Sequence, residues 1–120
     1  MFRWFALVWI VLGLSVTGTQ PVFAETTDAR CDIYPRGAKQ PIGQYLCVLS
    51  EYHGYVSIRR GDGVQYDFHP SRNQPGKYRD GQNRPVSLRG DLGKKGVIFE
   101  LTHESIYVYW DTSVLAEPAL

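Results

Sequence analysis

The sequence predicts an all-β fold: a small antiparallel meander of six to eight strands, closing into a barrel or a sandwich. Three observations predict it. Apolar and polar residues alternate in short runs, as on strands with one buried face. Glycine and proline punctuate the chain between those runs. No stretch between Arg30 and Trp110 has the length and period of an amphipathic helix.

Residues 1–24 stand apart from this fold and read as a secretory signal helix, removed on export. Arg3 supplies a positive charge, Trp4 to Leu14 an apolar run, and Val22-Phe23-Ala24 a small-residue cleavage site. The run is shorter than the roughly 20 residues a membrane-spanning helix needs, so no stable membrane insertion is expected after cleavage.

The strands follow in order. Gln44 to His53 (QYLCVLSEYH) is rich in β-branched, aromatic and leucine residues, and His53-Gly54 turns it into YVSIRR. There Val56 and Ile58 share one face. Asp62-Gly63 signals a hairpin, leading to VQYDFH, where Val64, Tyr66 and Phe68 alternate with Gln65, Asp67 and His69. Residues 70–85 hold three prolines and read mostly as loop, with a brief strand at Lys77-Tyr78-Arg79. Pro85 to Arg89 sets Val86 and Leu88 on one face. Beyond the turn-rich GDLGKKG, Val97, Phe99 and Leu101 alternate with Ile98 and Glu100, then Ile106, Val108 and Trp110 with Tyr107 and Tyr109. Hairpin-length connections place sequential strands side by side. The expected organisation is a signal at 1–24, one β domain at 25–110 and a frayed tail at 111–120.

Cys31 and Cys47 are the only cysteines. An even pair in a small exported domain most simply forms one disulfide, which stabilises by about 3 kcal/mol on the chain-entropy view. Without the signal the chain is close to neutral, which gives no global attraction to nucleic acid. Its charge is uneven, however. Between residues 72 and 95, Arg72, Lys77, Arg79, Arg84, Arg89, Lys94 and Lys95 face only Asp80 and Asp91. Loops on a rigid β scaffold are where binding groups accumulate. Pro70, Pro75 and Pro85 restrict this one, so it loses less entropy on docking. The partner-binding candidates are therefore Lys77, Tyr78 as an aromatic anchor, and Arg79, Arg84 and Arg89, whose guanidinium forks match carboxylates. The partner they suit is a protein with an acidic cleft.

Catalytic signals are sparse. There is no nucleophile elbow, no metalloprotease motif and no phosphate-cradling glycine loop. Glu100 and Glu104 would suggest glycosidic chemistry as a close pair, yet carboxylates beside hairpin turns are common. His53, His69 and His103 lie in or beside turns, outside any metal-ligand spacing. The reading is a binding protein, without catalytic residues, metal or cofactor. Tyr107 and Tyr109 offer an alternative surface: rings exposed on a sheet stack against sugars, so peptidoglycan or another glycan is the alternative partner of an envelope module. The same rings would equally fill a core.

The segments DGVQYDF, PGKY and SLRGD, followed by VIFEL, resemble the periplasmic C-type lysozyme inhibitor family, small β-barrel proteins of Gram-negative bacteria. In that family a Ser-Gly-x-x-Tyr loop and a Trp-Ser-Lys-Gly-Asp-like segment send a serine and a lysine into the lysozyme cleft. The resemblance implies a periplasmic lysozyme inhibitor in which Gly76 and Tyr78 match the loop and Arg89 stands at the basic position before Gly90-Asp91. Pro75 replaces the serine, the tryptophan is absent, and the family's bridge joins the chain ends, whereas Cys47 lies in an early strand.

Overall fold

The computed structural model describes residues 25–116. The signal segment read at 1–24 lies outside the described residues. The chain forms eight antiparallel strands: β1 Glu25–Pro35, β2 Gly43–Tyr52, β3 Tyr55–Arg60, β4 Gln65–Pro70, β5 Lys77–Arg79, β6 Pro85–Arg89, β7 Gly96–Glu100 and β8 Glu104–Tyr109. Each pairs with its sequence neighbours, and β1 pairs with β8 from Arg30↔Tyr109 to Pro35↔Glu104, closing a barrel. Closure leaves no unpaired sheet edge. Of the two architectures the sequence allows, the barrel is the one formed.

The inward residues are those the alternation selects. Ala29, Cys31, Ile33, Cys47, Val56, Ile58, Phe68, Val86, Phe99, Ile106 and Val108 form one buried cluster. Phe68 and Phe99 meet at its centre with ring centroids 5.2 Å apart. Cys31 and Cys47 are disulfide-bonded, Cα atoms 6.0 Å apart, on inward positions of β1 and β2. That bond fits an exported protein, formed in an oxidising compartment. Among the described residues, no helix is long and apolar enough to cross a membrane.

Local chemistry sets the turns. His53 and Gly54 both take positive φ, 50° and 86°, in the tight β2–β3 hairpin. The Asp62-Gly63 turn is a longer design. Gly63 alone is left-handed there (φ 96°), with Gly63 N–H donating to Arg60 O and Arg60 N–H to Val64 O. The β5–β6 turn repeats this geometry with Asn83 (φ 65°) in the glycine's place.

One element was missed. The N-terminal strand β1, eleven residues long, was not among the strands read from the sequence. Ser113–Ala116 form a single helical turn, α1, because the Asp111 carboxylate accepts from both the N–H and the hydroxyl of Ser113.

Candidate functional site

The antiparallel meander divides its connections between two rims. One rim carries 53–54, 71–76 and 90–95; the other carries 36–42, 61–64, 80–84 and 101–103. The basic section from 72 to 95 is therefore not one projection. Its middle forms strands β5 and β6, which send Arg72, Lys94 and Lys95 to the first rim and Arg84 to the second. Lys77 and Arg89 sit near the first rim, on outward positions. The Leu88 N–H donates to Gly76 O at 2.8 Å, so the PGKY and SLRGD segments lie against each other.

The structure sorts the sequence candidates. Lys77 is exposed, and its Nζ donates to Ser87 Oγ at 3.2 Å. Arg79 is exposed and donates to Asn83 O at 3.1 Å. Arg89 is half-exposed and paired with Asp91 and Glu100, at 3.5 Å for the latter. Its guanidinium is held more firmly charged, first by the hydrogen bond to Asp91, then by both carboxylate charges. Arg72, Lys77, Lys94 and Lys95 have no carboxylate partner among the described residues.

Two candidates sit apart from these. Tyr78 is no exposed anchor: the two-residue period turns it inward, where its ring lies 6.1 Å from Phe99 and 6.4 Å from Phe68. Burial, with a smaller push from Glu51, raises its hydroxyl pKa. Arg84 stands on the opposite rim and is tied to its neighbour, with Nε 3.1 Å from Asp80 Oδ2. Asp80 is the hub of that turn, also accepting from the N–H groups of Gln82 and Arg84 at 2.9 Å each. Burial works against its ionisation, but these bonds and the Arg84 charge prevail and lower its pKa.

The carboxylates offered as a pair have different partners. Arg89 engages Glu100, whereas Glu104 accepts from the Tyr66 hydroxyl at 3.2 Å. Among the described residues, no group of three or more His, Cys, Asp or Glu side chains is placed to hold a metal ion.

Tyr107 and Tyr109 point outward from β8, alternating with the buried Ile106 and Val108. They belong to a larger aromatic strip. Tyr34 of β1 packs against Tyr107 at a tilt of 41°, centroids 4.4 Å apart, and Tyr107 lies 6.5 Å from Tyr109. Arg30 covers the Tyr109 ring at 4.3 Å and forks onto the buried Asp32, which also accepts from Gln44. The sequence reading missed Tyr34, Arg30 and Asp32, though Arg30, Asp32 and Tyr34 alternate with Cys31 and Ile33.

Inside the second rim a polar cluster fills the barrel mouth. Arg60 stacks on Tyr45 at 4.1 Å, donates to the Tyr66 hydroxyl at 2.8 Å and pairs with Asp62. Burial raises the Tyr66 pKa against the opposing pull of Arg60. Its groups satisfy one another, which suits a structural closure of the mouth.

A scan against protein-family models, a search of curated proteins and a search of solved structures each return no match. The inhibitor resemblance thus rests on its own short motifs.

Proposed function

We propose that this is an exported, periplasmic binding protein whose cationic rim enters an acidic cleft on a partner protein, a C-type lysozyme being the partner the motif resemblance implies. The observation supporting this reading is the joining of two loops at one rim. The Leu88–Gly76 hydrogen bond brings the Lys77 and Arg89 segments together, Arg72, Lys94 and Lys95 lie in loops of the same rim, and Asp91 and Asp111 are acidic residues near them. Cations lacking internal partners give up little on docking, and they gain most where the opposing carboxylate is desolvated. Arg89 also fits the role, since exposed ion pairs are weak and exchange readily for a better-buried partner. The prolines and the 71–76 hydrogen bonds, Ser71 N–H to Lys77 O at 2.8 Å among them, hold the loop before contact.

The test is inhibition of C-type lysozyme by the exported protein at micromolar concentration. Replacing both Lys77 and Arg89 with alanine is expected to weaken inhibition at least about tenfold, with a steep salt dependence in the parent protein. Arg84→Ala is expected to leave it unchanged, because that residue belongs to the other rim. Full lysozyme activity at saturating protein, across C-, G- and I-type enzymes, would remove the lysozyme reading.

A further inference from the structure

The outer face of β8 carries a second surface, which meets the cationic rim at Arg89, Lys94 and Lys95. Two hollows lie in line along it. The first, of roughly 530 Å³, is lined by Tyr34 and Tyr107 together with Arg36, Ser87, Arg89, Glu100 and Ser105. The second, of roughly 320 Å³, holds Tyr109 and Trp110 with Arg30, Lys94, Lys95 and Asp111. Volumes of this order suit small ligands. From Ser105 to Tyr109 the strand rises roughly 14 Å, so the strip is long and narrow.

Its chemistry is mixed throughout. Each hollow contains aromatic rings, cationic donors and at least one carboxylate, and in the first the Arg89 charge is already met by Glu100 and Asp91. In the first hollow donors and acceptors stand at close intervals without a field of one sign, which suits a polyol, whereas the second, with Lys94 and Lys95 beside Asp111, is net cationic. The rings are also held in place. Tyr34 and Tyr107 brace each other, and the Arg30 guanidinium, fixed by Asp32, clamps Tyr109. Rings positioned in advance lose little freedom on binding.

We propose that the Tyr34–Tyr107–Tyr109 strip binds an uncharged linear oligosaccharide. The apolar C–H faces of its pyranose rings would lie on the tyrosines, and its hydroxyls would bond to Glu100, Ser87, Ser105 and Arg36. The strip extends over both hollows, which favours a chain over a single sugar.

Isothermal titration of the exported protein with β-1,4-linked tetramers of N-acetylglucosamine and of glucose tests this, with polygalacturonate as an anionic control. At least one neutral tetramer is expected to bind. Tyr107→Ala is expected to weaken that binding about tenfold, the size of one lost stacking contact, while Tyr107→Phe retains most of it. Lys77→Ala is expected to have no effect, because Lys77 belongs to the rim and lines neither hollow. Tyr107 is outward, and unchanged circular dichroism would confirm that the variants fold. Absence of binding by both neutral tetramers would overturn the proposal, as would binding indifferent to Tyr107→Ala, or binding of polygalacturonate alone.

Discussion

Asp32 and Asp80 are buried carboxylates with different anchors, and that difference decides what each would cost to lose. Asp32 is 3 % exposed and takes a two-point fork from Arg30, itself largely buried, plus a bond from Gln44. Asp32→Ala would strand the guanidinium without its partner, and we expect a loss of about 3 kcal/mol in urea unfolding. Asp80 instead organises a turn through two backbone N–H groups and Arg84. Its folded-state pKa is depressed, so the stability it contributes is complete above the unfolded value of about 3.9 and is lost as pH falls through the lower folded value. Asp80→Asn is therefore expected to lose about 1–2 kcal/mol at pH 7, with a flatter decline of stability on acidification than in the parent protein. At this scale the sequence was legible only in part. The two-residue period placed Val56, Ile58, Val86 and Phe99 inside. The same period sets Tyr78, between the outward Lys77 and Arg79, on the opposite, inward face. Its hydroxyl and its place in a basic run suggested the surface, and the strand period overruled that suggestion.

Among the elements, β1 was the least legible and β5 the most consequential. The inward residues of β1 include Ala29 and Cys31, small and weakly apolar, while Asp28, Arg30 and Asp32 face outward. Its alternation is real but carries little hydrophobic contrast, so pattern reading begins at β2. The three residues of β5 were legible only as a brief strand inside a segment that its prolines mark mostly as loop. Their effect was not: by crossing the barrel, this short strand distributes the cationic section between two rims. The β7–β8 pair depends on close approach at Gly96, which is in register with Tyr109. A Cβ built there would lie 1.8 Å from Val108 O, a contact with backbone that no side-chain rotation relieves. Gly96→Ala must therefore push β7 away from β8. We expect a loss of about 2–3 kcal/mol in denaturant unfolding, with faster amide exchange at Val97 and Val108 than in the parent protein. A variant as stable as the parent would mean that the two strands do not meet as closely as described.

For the whole molecule, closure is the step that local sequence pattern could not supply, because β1 and β8 lie at opposite ends of the described chain. Seven hairpin-length connections announce a meander, but whether its last strand returns to its first is a long-range question. The disulfide bears on that question. Cys31 sits opposite Tyr45 in the β1–β2 ladder and in the same strand segment pairs with Val108 across the closing seam. The bridge from Cys31 to Cys47 thus fixes β1 to β2 at the level where β1 must also receive β8. Because the bond spans 16 residues, its chain-entropy contribution is about 3 kcal/mol, a sizeable share of the 5–15 kcal/mol typical of small domains. Replacing both cysteines with alanine should lower the guanidinium midpoint by a corresponding amount. Hydrogen exchange should then show where the loss falls. If β1 is held to β8 chiefly through its tether to β2, the amides of Ile33 and Val108 will lose protection before those of Ile58 and Phe68. Uniform loss across all eight strands would mean instead that the barrel opens only as a whole, with the bridge acting on the unfolded chain alone.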